Sequence, residues 1–503
     1  MKGIQKKMSL SEKHLKKLKD RLWRLNNLYF IEDKDGNSVR FKMTSEQLEY
    51  FDGMHTRNII LKARQLGFTT EVCIIQLDLA LWHNKHCALI AHTLPDAERL
   101  FRNKTKYAYD RLPDQVKAAN PIVKETTSEM VFSKGGSITV STSFRGGTLY
   151  SLHVSEFGKI CAKHPDKARE IVTGAFEAVP KNGTITLEST AEGRNGYFFD
   201  YCQESENNAL RGKLLGILDW KFFFFSWWKN KDYQIEVTDA LNDRLLNYFE
   251  NLDAKYGIKT TPEQRAWYAS KEKTLGEDMK REYPSIPAEA FAQSVEGAYY
   301  AKQFKKLYAE KRICKIPDNS HLPVCTAWDI GVGDSTAIWF FRIVGTEIHI
   351  IDFYENSGEG LRHYMTILKN KGYKYDRHYG PHDLNNKEFG SDAKSRYDIA
   401  KDGYEIDGVK YSIKFDVLPR ASIDDGIEQV RELLPRCVFD ETKCEDGIRM
   451  LENYRKEWDD KRGCWKDRPL HDHTSHAADA FRYLANSQTK RKIAKVTSLS
   501  TAF

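Results

Sequence analysis

No apolar run in this 503-residue chain approaches the roughly 20 residues that cross a bilayer; the longest oily cluster runs only from Phe222 to Trp228. A membrane-spanning protein is therefore not expected. The start of the chain, Met1 to Lys7, lacks the apolar core of a secretory signal. Its nine cysteines contain no Cys-x-x-Cys pair, so neither a disulfide framework nor a structural zinc site is expected, and reduced thiols suit the odd, unpatterned count. Internal repeats and low-complexity tracts are missing too. The charge excess is small, with a net +7 and a pI near 8.7, too small to identify a nucleic-acid partner alone. What the chain does have is 41% hydrophobic and 12% aromatic residues, enough for real cores, with 30% charged residues and a mean hydropathy of −0.61. Its length sets a soft prior of about three domains.

The blocks can be read from pattern. Residues 1–35 form a basic helical segment, with Lys2, Lys6, Lys7, Lys13, Lys16, Lys17 and Lys19 near its start and an amphipathic stretch over 8–30. From residue 36 to 195, β-rich runs alternate with helical ones: 58–63 then 69–84, 87–92 then 95–112, 151–156 then 166–179, and 184–190. That alternation predicts an α/β unit, a parallel sheet with helices on both faces. Residues 196–315 are irregular and aromatic, with one helical stretch over 262–282, and read as a lid or linker subdomain. Residues 316–488 restart as strand, hairpin, helix, strand, helix, strand, helix, the order of a ribonuclease-H-like domain. Lys490, Arg491, Lys492 and Lys495 mark a basic tail over 489–503. Basic ends of this kind track phosphates or simply stay solvated.

Three separated stretches in the second half carry acids suited to metal-dependent phosphate chemistry. They are Cys325 to Ser335 with Asp329 and Asp334, Tyr379 to Asp383, and Ser475 to Tyr483 with His476 and Asp479. Asp329 and Asp383 close apolar runs that read as strands, Asp334 lies in the turn before a hairpin, and Asp479 rides a helical pattern. Hard divalent cations take oxygen ligands, and a two-metal site needs several acidic oxygens at one point. Asp329, Asp383 and Asp479 are the candidate Mg²⁺ or Mn²⁺ ligands and catalytic acids. Asp334 and His476 are further candidates, His476 sharing a helix face with Asp479. The ordinary readings are a turn residue for Asp334, N-cap or surface roles for His473 and Asp472, and a strand-end acid for Asp383.

In the first half, Lys62-Ala63-Arg64-Gln65-Leu66-Gly67-Phe68-Thr69-Thr70 reads as a strand end, a tight turn and a helix start. Backbone N–H groups there would face a phosphate, and Thr69 is the candidate Mg²⁺ ligand. The loop departs twice from G-x-x-x-x-G-K-[ST]: Lys62 stands at the first glycine and Phe68 at the lysine. Ser151 to Phe157 reads as a short buried strand ending in an acid. Ser155 holds the place of the usual Mg²⁺-binding Asp, and Glu156 is the candidate base that orients water against the γ-phosphate. The aromatic-basic run Trp220 to Lys231 invites base stacking, but four consecutive phenylalanines read better as a buried strand joining the sheet.

Arg64-Gln-Leu-Gly67-Phe-Thr-Thr70 is similar to the S-R-Q-L-G-K-T loop of the large terminase subunits of tailed bacteriophages. Other family landmarks follow in order. Thr44-Ser-Glu-Gln47 resembles the adenine-reading glutamine motif, and Ile90 to Ala97 the second ATPase motif. Ser143-Phe-Arg145-Gly146 resembles the Arg-Gly element, Leu187-Glu-Ser189-Thr190-Ala191 the coupling motif, and Arg281 to Phe291 the stretch before the nuclease. The resemblance spans about residues 40–487. It implies that Gln47 and residues 62–70 bind ATP, and that Arg64 supplies the charge of the missing lysine, with Lys62 the alternative. It also implies that Arg145 senses phosphate in cis or in trans, and that Ser189 and Thr190 couple hydrolysis to movement.

The resemblance further implies a packaging motor that hydrolyses ATP to translocate double-stranded DNA into a procapsid and cuts concatemers with a two-metal nuclease. Its partners would be the DNA, a portal protein and a small terminase subunit, and it would form a ring homo-oligomer, commonly a pentamer. It would act in the host cytoplasm during virion assembly without remaining in the virion. Contacts to duplex DNA would fall on phosphates. Two rivals share these parts: a repair or recombination ATPase–nuclease, which would normally carry a second set of RecA-like motifs that 195–315 lack, and a decayed DNA-binding packaging protein.

Overall fold

In a computed structural model the chain forms two compact α/β units, Met1–Gln293 and Ser294–Phe503. The structure describes residues 17–291, 297–317, 321–331, 335–386, 394–459, 462 and 464–500. Asp334 lies outside the described residues.

The first unit opens with a short helix, α1 (Arg21–Asn27), capped by the Asp20 side chain, and a hairpin of β1 (Phe30–Glu32) and β2 (Ser38–Arg40). Part of the basic N-terminal segment is thus docked. The Arg24 guanidinium donates twice, at 2.8 Å, to Asp78 on helix α3 (Phe68–His83). Helix α2 (Ser45–Gly53) follows, started by a capping box between Thr44 and Gln47.

The core is an eight-stranded sheet. Its strands are β3 (Arg57–Lys62), β4 (His86–Ile90), β5 (Ile122–Glu125), β6 (Glu129–Phe132), β7 (Ser137–Ser141), β8 (Ser151–Ser155), β9 (Thr184–Ser189) and β10 (Lys221–Phe225), in the spatial order β10-β3-β9-β8-β4-β7-β6-β5. Pairings from β10 to β7 are parallel, and those of β7–β6 and β6–β5 are antiparallel. The parallel part was expected. The meander over 122–141 was not, because its edge strand β5 is short and largely exposed and carries no continuous apolar run. β3 is buried along its whole length, as a strand covered on both faces must be.

The aromatic run of β10 pairs in register with β3, Phe223 beside Ile60, so it is a sheet strand as its composition suggested. Residues 196–291 therefore belong to the first unit and complete its sheet. The helical stretch expected over 262–282 is broken: an α-helix covers Pro262–Leu275, and Gly276 at φ +56° turns the chain before Met279–Glu282.

The second unit holds a seven-stranded sheet of β11 (Ile313–Cys314), β12 (Val324–Ile330), β13 (Ser335–Val344), β14 (Glu347–Ser357), β15 (Tyr375–Gly380), β18 (Phe415–Val417) and β19 (Cys437–Asp440); β16 (Tyr404–Ile406) and β17 (Val409–Tyr411) form a separate hairpin. The order is β11-β19-β14-β13-β12-β15-β18, with β12–β13–β14 antiparallel and the β12–β15, β15–β18 and β14–β19 pairs parallel. This is the ribonuclease-H-like arrangement that the run of elements predicted. Residues 301–314 belong here, since β11 pairs with β19. The last helix, α4 (Ser475–Ser500), takes in residues 489–500 of the stretch read as a basic tail. It is fixed to the sheet by Trp339, whose indole N–H donates to the Ala477 carbonyl at 2.9 Å. No helix among the described residues is long and apolar enough to cross a membrane.

Candidate active sites

Parallel strands bring their carboxyl ends to one edge, which is where open α/β sheets bind ligands. In the first unit β3, β8 and β9 lie side by side, so Lys62, Ser155 and Ser189 end together. The chain turns out of β3 through Gln65 at φ +58° and Gly67 at φ +78°, and α3 starts at Phe68. A Cβ at Gly67 would stand 2.9 Å from Gln47 Nε2, a second reason for glycine there. The first-turn N–H groups of α3, at Phe68, Thr69 and Thr70, are the donors that a helix start can offer to an anion.

Phe68 does not stand in for a lysine. It is buried at 1% exposure, stacked on Phe225 with centroids 4.4 Å apart, and meets the edge of Tyr50. The two basic candidates separate. Lys62 is buried with its ammonium 3.3 Å from Glu156 Oε1 and 3.1 Å from Glu188 Oε2. Burial pushes this ammonium down, but the charges and hydrogen bonds of Glu156 and Glu188 outweigh it and hold Lys62 above its ordinary range. The Arg64 side chain is 60% exposed and pairs with Glu282, while its backbone N–H donates to the Glu282 carbonyl at 3.0 Å. Ala63 N–H bonds to the Phe225 carbonyl at 2.8 Å, so this part of the loop is anchored on β10.

Glu156 sits at the end of β8 in the left-handed region, φ +55° and ψ +45°. For a non-glycine residue that costs of order 1–3 kcal/mol and is found where a site demands it. Its side chain, 38% exposed, accepts from Lys62 and, at 3.5 Å, from the Ser189 hydroxyl. Thr190 is buried beside Ser189. Gln47 is used locally: its side-chain oxygen accepts from Thr44 N–H at 3.0 Å and its amide donates to the Leu66 carbonyl at 3.4 Å. Arg145, exposed, pairs with Glu170 at 3.3 Å.

The residue missed by sequence reasoning is Glu188. It is fully buried, yet Thr69 Oγ1 donates to its Oε1 at 2.6 Å and Ser155 Oγ donates to the same oxygen at 2.8 Å. Burial alone would raise this carboxyl; the Lys62 charge, the His153 ring 3.5 Å away and the hydrogen bond from Thr69 hold it well below its ordinary range. The only sequence signal was an acid at an inward position of a buried strand.

In the second unit Asp329 lies near the end of β12, opposite Ala337 of β13, which is itself opposite Glu355 of β14. His476 Nδ1, from α4, is 3.0 Å from Asp329 Oδ2. That hydrogen bond raises the His476 imidazole above its usual value. Asp479, one turn on, pairs with Arg482; burial pushes it up to about 6, with Arg482 opposing and Asp329 adding to the rise. Asp383 is just past β15, in the single turn His382–Asn385, and its Oδ1 is buried without a hydrogen-bond partner. Tyr483, which sequence reading passed over, ties the set together: burial and then the charges of Asp329, Asp383 and Asp479 push its phenol up to about 12. Glu355 was also passed over; burial raises it, with the nearby Asp329 charge adding to that.

The donor chemistry of this cluster, oxygen-rich with one orphaned carboxylate oxygen, fits a hard divalent cation. As they stand, no three of the described residues are close enough to hold one. Asp329 and Asp479 are satisfied by His476 and Arg482, so a cation would exchange for those contacts.

No family model matches this chain, and no curated protein matches it. Among solved structures it is similar to the large terminase of a thermophilic bacteriophage, at 14% identity over 88% of this chain and 99% of that one, with a TM-score of 0.29. It is similar to the HK97 bacteriophage large terminase at 12% identity over 93% and 98% of the two chains, with a TM-score of 0.44. It is also similar to the P22 large terminase nuclease domain at 19% identity over 36% and 89%, with a TM-score of 0.26.

Proposed function

We propose that this chain is a large-terminase-type packaging enzyme, hydrolysing ATP in its first unit to move double-stranded DNA and cutting DNA in its second. The carrying observation is the strained Glu156 at a strand end, ion-paired to a buried Lys62 beside a glycine turn and helix start. That is the arrangement of a phosphate cradle with a water-orienting base. The helix start would bind the phosphates, Lys62 would supply the buried positive charge, and Arg64 would reach the same phosphates from the exposed side of the loop. Glu156, released from Lys62 as phosphate takes its place, would orient the water. Ser189, hydrogen-bonded to Glu156 Oε2, would carry the change in Glu156 into β9.

In the second unit Asp329, Asp383 and Asp479 would hold Mg²⁺ or Mn²⁺. The bound ions would activate water and stabilise the leaving oxygen of a phosphodiester. His476 would hold Asp329 in place or contact the scissile phosphate, and Tyr483 is near enough to the three acids for their charges to raise its phenol. A portal protein, a small terminase subunit and a ring of like subunits complete the proposal, as does action in the host cytoplasm during assembly.

The test is DNA-stimulated ATP turnover and supercoiled-plasmid nicking on one preparation of the full chain. Turnover without DNA stimulation argues against a translocating motor. Nicking that persists in EDTA argues against the metal nuclease.

A further inference from the structure

Position 155, at the end of β8 and just before the proposed base, carries a hydroxyl where a metal-dependent NTP site usually has a carboxylate. The structure supplies a carboxylate at the same place from the neighbouring strand. Glu188 of β9 pairs in register with Ser155 of β8, and its Oε1 accepts from Ser155 Oγ at 2.8 Å and from Thr69 Oγ1 at 2.6 Å. Its other oxygen is 3.1 Å from the Lys62 ammonium, and His153 Nε2 is 3.5 Å from Oε1. One side chain thus joins the ends of β3 and β8 to the start of α3.

The direction of the hydrogen bonds matters more than their number. A hydroxyl has one proton and two lone pairs. Thr69 and Ser155 both place their proton on Glu188, so the lone pairs of both oxygens remain available to a cation. A neutral acceptor could hold the same geometry. Only a carboxylate adds the charge that makes those oxygens better donors, as outer carboxylates do for metal ligands.

We propose that Glu188 is the positioning carboxylate of the nucleotide site, aiming the Thr69 and Ser155 hydroxyls at the divalent cation of a bound nucleotide and doing from β9 what an acid at position 155 does from β8. This rests on the ATPase reading above. Glu188 touches neither nucleotide nor water; it acts through Thr69, Ser155 and Lys62.

The experiment is equilibrium binding of a fluorescent non-hydrolysable ATP analogue to the full chain, with Mg²⁺ and with EDTA. The wild type binds more tightly with Mg²⁺. Glu188→Gln keeps the shape and loses the charge, so the Mg²⁺ advantage falls by about tenfold or more. Affinity in EDTA holds or improves, because one negative charge near the polyphosphate is gone. Ser155→Asp combined with Glu188→Ser returns a carboxylate to the site from β8 and restores the Mg²⁺ advantage. If Glu188→Gln keeps the full advantage, or weakens binding equally with and without Mg²⁺, Glu188 is a structural clip and the proposal is overturned. Should Glu188→Gln not fold, a folded double variant decides: Mg²⁺-dependent binding supports the proposal and its loss overturns it. A wild type that binds no nucleotide overturns the ATPase reading, and this inference with it.

Discussion

His476 and Asp329 are 147 residues apart in the chain, yet Nδ1 of the first lies 3.0 Å from Oδ2 of the second, joining the last helix to strand β12 of its sheet. The pair has a pH signature. The folded-state imidazole titrates above its unfolded value, so the stability it contributes is fully present below about pH 6.5 and is lost as pH rises through the raised folded value. Asp329→Asn should therefore abolish plasmid nicking while ATP turnover survives, and should lower the thermal midpoint more at pH 5.5 than at pH 8.5. Full nicking by this variant would remove Asp329 from the site; a pH-independent loss of stability would remove the ion pair.

Asp479 and Glu355 give the metal-free second unit a bias of the same sign. Both carboxyls titrate above their unfolded values, Asp479 at about 6, so the folded state holds protons that the unfolded state releases. Stability then falls as pH rises between about 4 and 6. A divalent cation that binds these acids offsets the repulsion, and it does so more when they are ionised. Mg²⁺ or Mn²⁺ should raise the thermal midpoint of the second unit's transition clearly at pH 8 and little at pH 5, and Asp479→Asn should flatten that difference. Nicking should follow Mg²⁺ or Mn²⁺ and fail with Ca²⁺, whose looser coordination misplaces the attacking water. Equal shifts at both pH values would sink the assignment.

What could be read from sequence was local. Asp329, Asp479 and Glu156 each follow or ride one periodic segment, and the structure puts them at those strand ends and on that helix. The β10 aromatics were legible as a sheet strand, but it forms the edge of the sheet, with Phe223 and Phe225 buried and Phe222 and Phe224 half-buried. Partnership across strands was not legible. Glu188 acquires its neighbours from β3, β8 and α3, and Tyr483 and Glu355 join the acidic cluster only through helix and sheet packing. Nor was the pairing of Arg64 with Glu282, which is 218 residues away. Gln47, read from its motif as an adenine contact, has local partners as well: its carboxamide closes a helix cap and meets the loop.

The two cations of the loop should differ in the kind of loss their removal causes. Lys62→Ala leaves Glu188 buried without its main counter-charge, a loss of about 3–5 kcal/mol for a broken buried pair. Nucleotide binding and hydrolysis should go with it, and the thermal midpoint of the first unit should drop. Arg64→Ala breaks a pair whose Arg side is 60% exposed, worth about 1 kcal/mol at most, so folding should hold while nucleotide affinity falls. Glu156→Ala should bind nucleotide nearly as wild type and hydrolyse none. Normal turnover by Lys62→Ala, or loss of binding in Glu156→Ala, would overturn these roles. Thermal denaturation, analogue binding and steady-state turnover read them separately.

Glu71, on the first turn of α3, is buried with neither carboxyl oxygen hydrogen-bonded. Burial pushes its titration well above the usual carboxylate range. The sign is that of a group that keeps its proton when folded and loses it when unfolded. Above about pH 4.5 unfolding releases that proton, so stability falls as pH rises until the folded value is reached. A buried carboxyl without a partner also costs about 1–3 kcal/mol, and although the Glu71 backbone N–H donates to the Gly67 carbonyl, its carboxyl hydrogen-bonds to none of the described residues of the nucleotide site. Glu71→Met, close in volume, should raise the thermal midpoint of the first unit, by more at pH 8 than at pH 5, with ATP turnover near wild type. Thermal melts across that range decide the matter: a variant that is less stable, or whose advantage does not grow with pH, means that Glu71 has a partner when folded and is not held as a neutral acid.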